Sequence, residues 1–198
     1  MAKDIERQKS IIIVGGSEQF NTIVKKAISG QNFTSIDIRR SAAAARQQLL
    51  ERSYDIVVIC APLPDEPGHQ FALDISMSYA SSVLMVTPHE IMKDVSEYVT
   101  DYGVMVMAKP VEYESLRRNL KLLTAVQERL FSYEHKLRSL ERRMNEEKII
   151  GRAKCILIEK KGMTESEAHR FIGKRAMDEG LTRKLVAEDI IDYYTAAV

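Results

Sequence analysis

From Tyr113 to Lys148 the chain contains neither glycine nor proline and is dense in charge. With no residue at which a helix would stop, the stretch reads as one long helix. Apolar residues give that helix a face. Leu116, Leu120 and Leu123 are spaced by four and three, and Val126, Leu130, Tyr133, Leu137, Leu140 and Met144 continue as four, three, four, three and four. The step from Leu123 to Val126 is three where four is due, which is a stammer, a local overwinding. Beyond it lies a heptad seam, with Val126, Tyr133 and Leu140 at one core position and Leu130, Leu137 and Met144 at the other. If the helix continues through Lys161, residues 112–161 form a rod on the order of 75 Å long, at about 1.5 Å per residue. Such a rod would show its stripe to water, so a parallel homodimer through this coiled coil is expected. The alternative is that the stripe folds back on the chain's own N-terminal domain.

Before this helix, strand and helix signals alternate. Ser10–Val14 is a short apolar run, followed by a Gly-Gly-Ser turn and a helical pattern through Phe20, Ile23, Val24, Ala27 and Ile28. Phe33–Ile38 alternates as a strand, and Ala42–Leu50 reads as a helix. Asp55–Cys60 is a continuous apolar run of the kind buried on both faces of a parallel sheet. A helix near His69–Tyr79, a strand at Val83–Thr87, a helix at Ile91–Val99 and a strand at Val104–Met107 follow. These repeats predict a doubly wound α/β domain with a five-stranded parallel sheet.

The last fifty residues predict a small three-helix module. Ile149, Ala153, Ile156 and Leu157 recur at helical spacing until Gly162 breaks the pattern. Thr164 with Glu167 makes a capping box, with Met163 placed to staple onto Ala168. Ala168, Phe171, Ile172 and Ala176 form the next stripe, and Phe171 is read as core. Gly180 ends that helix, and Thr182 starts a third carrying Leu185, Val186, Ile190 and Tyr193. Helices this short are stable only by burying their stripes against one another. The expected division is therefore residues 1–111, 112–148 and 149–198.

Charge limits the partners. The net charge is +1, so no bulk attraction to nucleic acid or membrane is expected, and any nucleic-acid affinity must be local. Residues 151–184 hold nine Lys or Arg against five Asp or Glu, and Glu188, Asp189 and Asp192 reduce that surplus of four to one. No apolar run approaches the ~20 residues that span a bilayer, and the first ten residues lack a signal peptide's apolar core. Cys60 and Cys155 fall in different expected domains, so no disulfide and a cytoplasmic location are expected. His69, His89, His135 and His169 are scattered without metal spacing, and neither a metal nor a cofactor is expected.

Two resemblances follow from these residues. Asp55 opening the third strand, Pro64 and Gly68 after it, Thr87 ending the fourth and Lys109-Pro110 after the fifth resemble a response-regulator receiver domain. The resemblance implies two acidic residues after the first strand and an aspartate ending the third, together holding Mg²⁺ and accepting phosphate. Here Gly15 and Gly16 align with the acidic pair and Cys60 with the acceptor, so a pseudo-receiver without a phosphoacceptor is expected. Asp55, Asp65 and Glu66 are nearby but not placed to replace the missing three. Thr87 and Lys109 then stand either as structural remnants of the switch or around a pocket for an anion or a partner's acidic side chain, leaving a regulatory protein or small ligand as candidate effectors.

Arg152-Ala153-Lys154, Leu157, Met163, Glu167-Ala168, Arg170, Ala176-Met177, Leu185-Val186-Ala187 and Ile190 resemble an ANTAR domain, the RNA-binding module of bacterial transcription antiterminators. The resemblance implies binding to paired RNA stem-loops in leader transcripts, which stops a terminator hairpin from forming. Its candidate contacts are the basic residues Arg152, Lys154, Lys160, Lys161, Arg170, Lys174, Arg175, Arg183 and Lys184, taken as a cluster. Arginine supplies charge and stacking, lysine mainly charge. A non-enzymatic, dimeric antitermination regulator is the leading expectation. The alternatives are a protein-interaction regulator using the coiled coil and helical tail, an enzyme acting through Cys60, and a duplex-DNA binder.

Overall fold

The computed structural model describes residues 8–195, so the signal-peptide reading falls largely outside the described residues. Five strands alternate with helices. They are β1 (Lys9–Gly15), α1 (Glu18–Ala27), β2 (Phe33–Arg39), α2 (Ala42–Glu51), β3 (Ile56–Cys60), α3 (His69–Ser78), β4 (Ser82–Thr87), α4 (Met92–Val99) and β5 (Met105–Ala108). Short 3₁₀ turns at His89–Ile91 and Thr100–Tyr102 flank α4. Three helices follow: α5 (Tyr113–Lys161), α6 (Glu165–Glu179) and α7 (Arg183–Thr195).

All sheet pairings are parallel, in the order β2-β1-β3-β4-β5. The doubly wound expectation holds, with most element ends within one residue of their sequence signals. The period-two alternation of strands separates two cores. Ile12, Val14, Val57 and Ile59 face α2 and α3, where Ala45, Leu49, Phe71 and Ile75 are buried. Ile11, Ile13, Ile56 and Val58 face the other way, against Phe20, Val24 and Ala27 of α1 and Leu116, Leu120 and Leu123 of α5. β3 is buried along its whole length, as its uninterrupted apolar run requires.

Helix α5 is unbroken over 49 residues. Leu116 and Leu120 are fully buried and Leu123 is 5% exposed, whereas Val126 to Met144 stand between 42% and 62% exposed along the seam. The stammer thus marks the residue at which the stripe leaves the sheet. The chain forms two compact units, Met1–Leu130 and Phe131–Val198, dividing within α5. No helix among the described residues is long and apolar enough to cross a membrane.

In the second unit, Ile150, Ala153 and Leu157 of α5 bury against Ala168, Ile172 and Ala176 of α6 and Val186, Ala187 and Ile190 of α7. Two sequence expectations are corrected here. Leu185 is 49% and Tyr193 71% exposed. The stripe of α7 centres on Val186, Ala187 and Ile190, and Leu185 lies one residue, about 100°, off it. Phe171 is only partly buried at the edge of this core.

Candidate nucleic-acid interface and the altered receiver pocket

The carboxyl edge of the sheet gathers the residues that the receiver resemblance singles out. Gly15 pairs in register with Cys60, and Thr87 pairs with Ala108, next to Lys109. Gly15 and Gly16 adopt left-handed φ of +73° and +84°, a region open to glycine and costly for most side chains. A Cβ on Gly15 would lie 2.6 Å from Leu63 Cδ2 and 2.9 Å from the Cys60 carbonyl oxygen, and one on Gly16 would lie 2.7 Å from Phe20 Cδ1. The space that an acidic pair would need is filled by neighbouring atoms.

The cavity beside these glycines measures about 420 Å³ and is lined by Gly16, Ser17, Phe20, Cys60 and Lys109 among others, with no carboxylate among the described residues of its wall. Lys109 Nζ donates to the Ala61 carbonyl at 2.6 Å. Thr87 is fully buried and its hydroxyl has no partner among the described residues. Burial pushes the Cys60 thiol above its ordinary pKa, although the charge and hydrogen bond of Lys109 pull the other way. A neutral buried thiol is a poor nucleophile, which weighs against chemistry through Cys60.

The nearby carboxylates are engaged elsewhere. Asp55 accepts from the Ser10 amide at 2.7 Å and its hydroxyl at 3.0 Å, tying the starts of β1 and β3 together. Asp65 accepts from the amides of Ala42 and Ala43 at the start of α2, and these bonds hold its carboxyl below the usual range. Glu66 and Asp74 both pair with Arg46, at 2.8 and 2.9 Å. No group of three or more metal-ligating side chains occurs among the described residues.

In the second unit, the expected capping box is present. Thr164 Oγ1 accepts from the Glu167 amide at 3.3 Å, and Glu167 accepts from the Thr164 amide at 2.8 Å. The Glu167 carboxylate also accepts from the Thr164 hydroxyl at 2.8 Å, and the amide and hydroxyl bonds from Thr164, in that order, lower its pKa. Gly162 and Gly180 end their helices at φ of +67° and +66°, as C-terminal glycines do.

A shallow groove of about 990 Å³ runs along the exposed side of α6, from the end of α5 to the start of α7. Lys161, Arg170, Lys174 and Arg183 line it together with the apolar side chains Met163, Phe171 and Met177, and Glu167 and Asp178 also contribute. Lys161 Nζ sits 5.2 Å from the Phe171 ring centroid, a cation–π distance. Arg183 lies against Gly173, its Nε and Nη2 3.9 Å from where a Cβ would stand. An isolated glycine in a helical pattern signals such a close approach.

The nine candidate cations do not form one set. Lys161, Arg170, Lys174 and Arg183 meet at the groove, whereas Arg152 and Lys160 are exposed outside it. Lys154 pairs with Glu165 at 3.1 Å and Lys184 with Glu188 at 3.5 Å. Arg175 pairs with Glu179 at 2.7 Å and also with Asp189, and its pKa is raised by those two bonds in that order. It acts as a brace between α6 and α7. Asp189, fourteen positions away, gave no local signal of this.

Residues 138–191, which contain this groove, match the ANTAR domain family. The chain is 28% identical over 139 residues to the transcriptional regulatory protein PdtaR of Mycobacterium tuberculosis, covering 70% of this chain and 67% of that protein. Its fold is similar to the signal receiver domain of an HD domain-containing protein from Pseudomonas fluorescens Pf-5, with a TM-score of 0.57 at 20% identity, covering 65% of this chain and 95% of that one. A CheY-like receiver domain from Methanospirillum hungatei JF-1 superposes with a TM-score of 0.54 at 18% identity, covering 62% and 98% of the two chains. The C-terminal module is therefore an ANTAR domain, carried behind a five-stranded domain of the receiver fold.

Proposed function

We propose that this chain is an RNA-binding transcription antitermination regulator that acts as a dimer on paired stem-loops in leader transcripts, without aspartyl phosphorylation. The observation that carries the reading is the basic groove within the ANTAR residues. It sets Lys161, Arg170, Lys174 and Arg183 around apolar ground, the combination that holds phosphates and unstacked bases together.

Dimerisation is supported by the exposed seam from Val126 to Met144, whose heptad spacing suits a partner helix with the same seam. A parallel pair presents two ANTAR modules to two stem-loops. The filled space around Gly15 and Gly16 supports a pseudo-receiver, with Thr87 and Lys109 as remnants of the switch. Control then passes to a regulatory protein, a small ligand or abundance. We assign residues 1–111 to the pseudo-receiver, 112–148 to the coiled-coil helix and 149–198 to the RNA-binding module.

One observation favours a second reading, in which the chain is a protein-interaction regulator without nucleic acid. The same seam, and Met177 at 85% exposure, offer apolar surface to a protein. Binding of the full chain to a tandem stem-loop RNA, a single stem-loop and a duplex DNA across a salt series separates the two. Tight tandem-RNA binding that weakens steeply with salt supports the antiterminator, because phosphate neutralisation releases counterions. Equal weak binding to all three favours the protein-interaction reading.

A further inference from the structure

Phe171 and Lys161 have a second concavity on their other side. It measures about 380 Å³, between the end of α5, α6 and α7, with Leu157 and Ile190 at its base and Phe171, Tyr193 and Tyr194 around it. The Tyr193 and Tyr194 rings meet edge to face, their centroids 5.0 Å apart at 87°. Lys161 lines both this slot and the basic groove, so the two are contiguous.

Their electrostatics differ. The groove sets four cations against the two carboxylates Glu167 and Asp178. In the slot, Arg175 is held by Asp189 and Glu179, leaving Lys161 as the one lining cation whose charge no described ion pair offsets. An anionic phosphate belongs in the first. A flat, uncharged heterocycle belongs in the second, where aromatic faces meet a guanidinium donor and a carboxylate acceptor side by side. Every RNA base has such a π-face and a hydrogen-bonding edge, and stem-loops present bases splayed out of the stack.

The geometry points to a base-binding slot. One unstacked loop base enters between Phe171, Tyr193 and Tyr194 while the neighbouring groove holds the backbone. This rests on the RNA reading above and deepens it, because it divides recognition into a phosphate track and a base slot that share Lys161.

The chain contains no tryptophan, so Tyr193→Trp in the full chain puts a single, selectively excitable indole at the slot. Tandem stem-loop RNA is expected to quench its emission, and an abasic replacement at one loop position is expected to abolish the quench. Tyr193→Ala and Tyr194→Ala are expected to weaken binding roughly 5- to 150-fold, the range for one stacked base. Tyr193→Phe should bind as wild type, and unchanged far-ultraviolet dichroism and melting would exclude misfolding. If wild type binds the RNA tightly but the emission is indifferent to it and Tyr193→Ala binds normally, the slot is not a base site, while the RNA reading stands. A slot covered by a protein partner would give that same result. If wild type binds no stem-loop RNA, both readings fail together.

Discussion

A Cβ at Gly15 would stand 2.6 Å from Leu63 Cδ2 and 2.9 Å from the Cys60 carbonyl oxygen. The leucine can turn aside, but the backbone carbonyl cannot. Gly15→Asp is therefore expected to destabilise the first unit by about 1–3 kcal/mol, even though aspartate tolerates left-handed φ better than most residues. Thermal melting measures this. Incubation of the wild-type chain with a small-molecule phosphodonor and Mg²⁺ should leave its intact mass unchanged.

Cys60 and Cys155 should differ sharply in reactivity. Cys60 is buried, with its thiol held neutral by desolvation, while Cys155 is exposed. One equivalent of alkylating reagent is expected to enter at neutral pH in the native chain, at Cys155, and two after denaturation. Peptide mapping reads the outcome, and rapid labelling of Cys60 would contradict the burial.

Lys174 and Arg175 are adjacent in sequence but should behave differently. Lys174→Glu is expected to weaken RNA binding and to reduce the magnitude of the salt slope by about one, with melting unchanged. Arg175→Glu removes the brace between Glu179 and Asp189. It should lower stability, by about 0.2–1 kcal/mol for lost exposed pairs, with like-charge repulsion added. Melting alongside binding at several salt concentrations distinguishes the two effects.

Leu137→Glu places a charge in the exposed seam. If the seam pairs two copies, sedimentation should shift from dimer to monomer, and tandem RNA binding should fall toward that of a single stem-loop. A variant that stays dimeric would move the interface off this stripe.

Tyr54 is buried and its hydroxyl donates to Asp37 at 2.8 Å. Burial first, and then that bond to the carboxylate, pushes its pKa up to about 12. In the unfolded chain it ionises near 10, so between those values the unfolded state has lost a proton that the native state keeps. Its contribution to stability is complete below about pH 10 and is lost as pH rises toward 12. Tyr54→Phe should flatten that decline in denaturant titrations.

The βαβ order, the capping box and the break at Leu123–Val126 were all legible in the sequence, because each rests on local spacing. Local spacing did not show which flank of α7 faces inward. Leu185, Val186, Ala187, Ile190 and Tyr193 are all apolar enough to satisfy a helical stripe, and only packing against Ala168 and Leu157 selects among them. The basic residues of the last three helices were legible in the sequence, but which of them meet at the groove and which are tied up in ion pairs was not. Arg175 is withdrawn by Asp189 across a turn, and Lys161 is drawn over Phe171 across another. The aromatic slot escaped for the same reason, since its walls come from three helices.

Helix α5 supplies buried leucines to one core and buried Ile150, Ala153 and Leu157 to the other, with no loop between. Proteases cut extended backbone, and the many arginines and lysines of this stretch sit instead in continuous helical hydrogen bonding. Trypsin should find the join between the two units resistant in spite of its cleavage sites, and increasingly so with protein concentration if the seam is paired. A chain built this way would be degraded at the rate at which its central helix frays.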